Sequence, residues 1–261
     1  MLEEGIPMLR VVDLDLSFGG VQALSKVSFE VRKGEIFAII GPNGAGKTCI
    51  VNCINKFYRP QGGEMYFEGR RITRLPSDRI ARLGIGRTFQ HIQLYTGLSV
   101  VDNLMAARHA FYKPTWLEQA IYFGRARAEE ARQRRIVEDL IDFLNLRPYR
   151  NTRVEVMSYG LRKRVDLGRA LAQEPKLLIL DEPMAGVDAT EKRTMARTIL
   201  DIQEEKGITI ILIEHDMAIV MDLSDRIMAL DFGQKIAEGL PQEVRTHPEV
   251  IKAYLGEEVA V

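Results

Sequence analysis

Residues 35–48 read EIFAIIGPNGAGKT, and this stretch decides the fold. Its first half is apolar at every position rather than at every second one. That pattern predicts a strand covered on both faces, as in a parallel sheet flanked by helices. The run stops at a loop carrying Gly41, Gly44 and Gly46. The segment that follows, CIVNCINKF (49–57), has helical spacing. Strand, glycine loop and helix in this order let the chain turn so that successive backbone N–H groups point inward. The helix behind them adds the positive end of its dipole. An anion with several oxygens is the natural ligand.

The spacing Gly41-x-x-x-x-Gly46-Lys47-Thr48 is that of a phosphate-binding P-loop. Gly41, Pro42, Asn43, Gly44, Ala45, Gly46, Lys47, Thr48 and Cys49 are therefore the expected nucleotide contacts. Lys47 would reach the β- and γ-phosphates, and Thr48 would give its hydroxyl to Mg²⁺. Two further apolar runs end in polar residues, KLLILDEP (176–183) and GITIILIEHD (207–216). They place Asp181, Glu182 and His215 at carboxyl ends of strands, where open α/β sheets bind ligands. Asp181 is the expected second Mg²⁺ ligand. Glu182 is the candidate to orient or deprotonate the attacking water, and His215 the candidate contact to the γ-phosphate or that water.

Outside these runs the pattern changes. MLRVVDLDLSF and VSFEV alternate with a period of two, which predicts an added antiparallel piece at the N-terminus. RIMALDFGQKIAEG (226–239) reads as a hairpin turning near Phe232-Gly233. From about residue 100 to 149 the pattern is helical and strongly charged, with Ile136, Leu140, Ile141 and Leu144 at helical spacing. Arg125, Arg127, Arg132, Arg134 and Arg135 read as a solvated face with i,i+4 ion pairs, ahead of a phosphate or lipid surface. The stretch MSYGLRKR (157–164) puts Ser158 at a helix start, with Leu161, Val165, Gly168 and 171–172 on one face.

Composition narrows the class. Lys plus Arg and Asp plus Glu both number 36 in 261 residues, so bulk charge calls for no nucleic-acid partner. The two cysteines, Cys49 and Cys53, exclude a disulfide framework and read as small buried hydrophobes of a reducing compartment. The acidic start MLEEGIPMLR lacks the apolar core of a secretion signal. The longest apolar runs fall far short of a membrane span, so a membrane role would go through a partner.

In this order the motifs resemble an ABC-type ATPase subunit over essentially the whole chain. Phe18 resembles the aromatic that stacks on adenine. GPNGAGKT resembles the Walker A loop, and Gln90 in GRTFQ the Q-loop glutamine that touches Mg²⁺ and senses the transport partner. MSYG, with Ser158, Tyr159 and Gly160, resembles the signature segment; LLILDEP resembles Walker B. AGVD with Asp188 resembles the D-loop, and His215 the switch histidine. The resemblance implies a P-loop ATPase core with a mostly parallel sheet, an N-terminal antiparallel β piece and an inserted helical subdomain. The expected division of a single domain (1–261) is an α/β core at 1–90 and 172–261 and helices at 91–171.

RTFQHIQLYTGLSVVDNLMAARH, the long helical insertion, the SYG signature and the tail THPEVIKAYLGEE together resemble the ATP-binding subunits of branched-chain amino-acid importers and their relatives for small polar solutes. The lipopolysaccharide-export ATPase shares the tail. The resemblance implies ATP and Mg²⁺ as cofactors and a head-to-tail dimer, homomeric or with a paralogue, in which each ATP meets one P-loop and the other subunit's SYG. It also implies transmembrane permease subunits, an extracytoplasmic solute-binding protein and a place on the cytoplasmic face of the membrane. The competing class is a non-transport ABC ATPase acting on nucleic acid or the ribosome; the single P-loop and absence of a Cys-x-x-Cys pair speak against it. Two letters depart from the importer pattern. Leu161 stands where the signature usually carries glutamine, and Asp188 where the nearest subunits often carry another polar residue.

Overall fold

The computed structural model describes residues 5–88, 92–109 and 125–258, without the side chains of 125–127 and 255–258. The alternating N-terminal stretch forms β1 (Leu9–Phe18) and β2 (Val21–Val31), an antiparallel hairpin. Its turn uses Gly19 and Gly20, at φ 51° and 91°. β4 (Gly62–Phe67) pairs with the other edge of β1, and the short β5 (Arg70–Arg71) completes a four-stranded sheet.

The continuous apolar run is β3 (Ile36–Ile40), buried at all five positions. It lies inside a second sheet of order β10-β9-β3-β8-β7-β6. The others are β6 (Ile85–Arg87), β7 (Leu177–Asp181), β8 (Thr209–Ile213), β9 (Arg226–Asp231) and β10 (Gln234–Gly239). β6, β7, β8, β3 and β9 run parallel; β10 turns back along β9. The expected last hairpin is present, and its turn residues Phe232 and Gly233 both take positive φ, 40° and 75°. Two positive angles in succession match the right-handed twist of the strands they join. The expectation for β2 was too short, and β4 and β6 escaped it.

Alternate side chains of the central strands serve different layers. Phe37, Ile39, Leu177, Ile179, Ile211, Ile213, Met228 and Leu230 pack toward the antiparallel sheet and α1 (Lys47–Ile54). Phe29 and Phe37 stack between the sheets, centroids 5.7 Å apart and nearly parallel. Ile36, Leu178, Leu180, Ile210 and Leu212 pack on the opposite side. There they meet α3 (Val100–Arg108), α4 (Arg125–Phe143), α5 (Tyr159–Leu171) and α6 (Ala189–Lys206) in one continuous core. Leu140 and Ile141 of α4 and Leu144 just after it are buried in it, as their spacing predicts, and Ile136 packs at its edge. The charged face of α4 carries an i,i+4 pair, Arg134–Glu130 at 3.8 Å. A third cluster joins Ala38, Ile40, Ile227 and Ala229 to α7 (Met217–Leu223), α8 (Pro241–Arg245) and α9 (Pro248–Glu258). α2 (Ser77–Arg82) precedes β6. Among the described residues no helix is long and apolar enough to cross a membrane.

Candidate functional site

The carboxyl ends of β3, β7 and β8 lie level. Asp181 pairs with Ile213, and Ile39 pairs with the same residue from the other side. The chain leaves β3 into the glycine loop, β7 into Glu182 and β8 into Glu214-His215. Strand neighbours of β3 come from later in the chain on both sides, so this edge is a topological switch point.

Three glycines of the loop take positive φ: Gly41 148°, Gly44 80° and Gly46 104°. Two of them have no room for a side chain. A Cβ on Gly41 would sit 2.2 Å from the Leu230 carbonyl oxygen, and one on Gly46 would sit 2.8 Å from that of Ala23. Gly46 also starts α1, and no side chain caps that start and no acid lies in its first turn. The orphan N–H groups and the positive helix end are therefore left to an anion. Lys47 is buried, and its ammonium donates to the carbonyl oxygens of Gly41 (2.6 Å) and Pro42 (2.8 Å). Asn43, Gly44 and Thr48 are exposed, while Pro42, Ala45 and Gly46 are buried; Cys49 is half-buried. The β9–β10 turn braces the loop from behind, where the N–H of Gly233 donates to Ala45 and that of Ser25 to Gly233. Phe18 sits at the tip of the β1–β2 hairpin, 45% exposed, edge-on to Tyr58 at 5.0 Å.

At the end of β7, Asp181 is 2% exposed and its Oδ2 accepts from the Arg87 guanidinium at 2.7 Å. Glu182 takes φ 49°, a left-handed conformation rare for a side chain of this size. This turn breaks the strand alternation, as the sequence requires if both carboxyls are to serve one site. The Glu182 N–H donates to the carbonyl of Ile213, tying the two strand ends together. His215 is exposed at the neighbouring end. Gln90 lies outside the described residues.

Ser158 caps α5 as expected: its Oγ accepts from the N–H of Leu161 at 3.4 Å. Ser158 and Tyr159 face solvent, whereas Gly160 is buried against Glu191, whose Cγ would lie 2.7 Å from a Cβ there. Leu161 points the other way, into the core between the sheet and the helices. The departure from the signature pattern is thus a packing residue, not a polar group withdrawn from the site. Asp188 caps α6, its Oδ1 accepting from Thr190 (2.8 Å) and Glu191 (3.0 Å).

Three residues here were not singled out from sequence. Arg87 bridges Asp181 and Asn52 and lies over the Phe57 ring. Lys163 of the signature helix is buried and donates to the carbonyl oxygen of Glu182 at 3.0 Å, so the helix meets Walker B within one chain. Burial pushes its ammonium below the ordinary lysine range. Glu214 is 1% exposed and accepts from the N–H of Met184 at 2.9 Å, fastening the two loops together. Burial raises its carboxyl above the usual range. The only sequence signal for each is proximity to a motif.

The thiols behave as hydrophobes: burial raises Cys49 and, more strongly, pushes Cys53 up to about 12.

A braced glycine loop with a bare helix start, set at a switch point beside a buried carboxylate, is the framework of a P-loop nucleotide site. The chain belongs to the ABC transporter family, whose pattern matches residues 24–185, and it is an ATPase of that class. Residues 234–260 match a second family, the branched-chain amino acid ATP-binding cassette transporters. The chain is 39% identical to the high-affinity branched-chain amino acid transport ATP-binding protein LivG of Salmonella typhimurium, over 96% of this chain and 98% of that one. It is 36% identical to BraF of Pseudomonas aeruginosa, a protein of the same description, with the same coverage. Among solved structures, the ADP conformation of an ATP-binding cassette superposes with a TM-score of 0.83 at 33% identity, covering 96% of this chain and 99% of that one. A nucleotide-free cassette superposes with a TM-score of 0.82 at 32% identity, covering 95% of this chain and 98% of that one.

Proposed function

We propose that this chain is the ATP-hydrolysing subunit of an importer for branched-chain amino acids. The observation that carries the solute class is the match of residues 234–260 to the branched-chain family, together with full-length similarity to LivG and BraF. Similarity of the cassette alone carries less, because a phosphonates import ATP-binding protein of Wolinella succinogenes is also 34% identical over 91% of this chain.

In this reading two such subunits, identical or paralogous, close head to tail over two ATP molecules at the cytoplasmic face of the membrane. Phe18 stacks on adenine. The N–H groups of residues 43–49 and the Lys47 ammonium hold the phosphates. Hard oxygen donors suit Mg²⁺, and Thr48 and Asp181 supply a hydroxyl and a carboxylate beside the loop, with Gln90 as a third ligand. When bound, the ion would neutralise charge that develops on the phosphate. Glu182, turned by its left-handed backbone, accepts the proton of the attacking water. His215 contacts the γ-phosphate or that water. Ser158 and Tyr159, with the backbone N–H of Gly160, face the partner subunit's nucleotide. The helices at 91–171 receive a coupling element of the permease against the core at 1–90 and 172–261. Solute reaches the permease from an extracytoplasmic binding protein.

Affinity purification of the tagged chain from native membranes tests the reading. Hydrophobic permease subunits are the expected companions, and reconstitution with them should give ATP-dependent uptake of leucine, isoleucine or valine. Recovery with ribosomes or DNA, or uptake restricted to another solute, would overturn it.

A further inference from the structure

The first glycine of the phosphate loop is held from three sides. Behind it, the Leu230 carbonyl leaves no room for a Cβ. Its carbonyl oxygen accepts from Lys47. Its N–H donates to the Tyr254 hydroxyl at 2.9 Å, a bond that spans 213 residues of sequence. Tyr254 belongs to α9, and its half-buried ring packs with Met217 and Met221 of α7 against Ala38 and Ile40 of β3. The hydroxyl is thus placed by a ring wedged between the central strand and the helix that follows His215.

Around Tyr254 the attachment of α9 is incomplete. A cavity of about 630 Å³ opens between α7 and α9, lined by Met217, Met221, Arg245, Val250, Ile251 and Tyr254. Val250 is buried, but Ile251 is 45% exposed.

The geometry has a consequence for nucleotide binding. Lys47 holds the Gly41 peptide by its oxygen only while no phosphate draws the ammonium away. Once phosphate does so, the bond to Tyr254, made by the neighbouring Ile40–Gly41 peptide, still anchors Gly41 at the head of the loop. A backbone N–H at this depth also needs an acceptor in every state. We propose that Tyr254 is a positioning residue for nucleotide binding: its hydroxyl, presented by the C-terminal helix, sets the affinity of the phosphate loop for ATP. The inference rests on the loop being the nucleotide site and is independent of the solute transported.

The test uses the full-length chain with Tyr254→Phe, which keeps the ring and removes the hydroxyl. ATP affinity is measured by equilibrium titration, and kcat and KM by steady-state hydrolysis. Loss of one hydrogen bond predicts a Kd for ATP raised about 3- to 10-fold, with kcat at saturating ATP within about twofold of the parent. Exchange of the Gly41 amide should accelerate in the nucleotide-free protein. Ile251→Ala, on the same helix and facing the cavity, is the control: it should lower the melting temperature and leave the Kd within about twofold, because a single hydrogen bond carries the effect. An unchanged Kd in Tyr254→Phe would overturn the proposal. So would a rise in Ile251→Ala equal to that in Tyr254→Phe, or Gly41 exchange unaffected by loss of the hydroxyl. Lys47→Ala separates the underlying premise: if it binds ATP like the parent, the loop is not the nucleotide site at all.

Discussion

Replacing Leu161 by glutamine restores the letter that the signature usually carries, and the structure predicts damage rather than repair. Leu161 is 9% exposed and shares a core with Met157, Val165, Leu140 and Met184. Burying a leucine side chain contributes about 1.5–3 kcal/mol. A buried amide without partners costs about 1–3 kcal/mol more. Part of that second cost disappears, because glutamine is long enough to bring its amide toward the solvent edge next to Ser158. The net loss is about 2–4 kcal/mol, near the upper end for single substitutions. For a chain of this size each kcal/mol moves the melting temperature by roughly 2–4 °C, so the midpoint should fall by about 4–16 °C. Thermal unfolding followed by circular dichroism measures this, with Leu161→Met as the control that conserves volume. ATPase turnover, taken well below both midpoints, should be unchanged per folded molecule. A glutamine variant that melts with the parent but hydrolyses ATP faster would refute the argument, because the side chain would then face the nucleotide and not the core.

Arg87→Met should strip the cation from a carboxylate only 2% exposed and cost about 3–5 kcal/mol; Asp181→Asn in the same chain should recover most of the loss in urea unfolding. Asp188→Ala removes the one oxygen that accepts two hydrogen bonds at the start of α6, so stability should drop by about 0.5–2 kcal/mol, with faster amide exchange at Thr190 and Glu191. Lys56 gives a pH signature. Burial lowers its ammonium from 10.5 to about 8 in the folded chain, so between those values the unfolded state binds the extra proton and stability rises with pH. Lys56→Met should therefore be more stable than the parent at pH 7, and its advantage should shrink as pH climbs through 8 toward 10.5. A gap that widens with pH would reverse the sign of the argument.

Much of the site was legible because its chemistry is local. The loop from Gly41 to Thr48 is shaped by backbone conformation and helix polarity, and both are properties of consecutive residues. Ser158 declared itself as a cap in the same way. Asp188, matched to the D-loop by resemblance, proved also to cap a helix. What sequence hid is pairing at long range. Arg87 reaches Asp181 across 94 positions, and Lys163 reaches Glu182 across 19. No periodicity encodes either partnership: the first exists because parallel β6 and β7 bring distant ends level, the second because α5 packs beside the end of β7. Leu161 shows the opposite case. Against the family pattern it looked like a missing polar contact. Its place on the face shared with Val165 and Gly168 already marked it as core, and helical geometry outranked the letter.

The two faces of the central sheet divide its residues between two neighbourhoods. Ile179 and Leu180 are joined by a single peptide bond, yet one looks toward the hairpin that carries Phe18 and the other toward the helix that starts at Ser158. A deep mutational scan along this strand should accordingly oscillate. Odd positions should loosen the layer that carries the hairpin and α1, even positions the layer that carries α5. A slip of one residue in its register would exchange the two layers' residues throughout the strand.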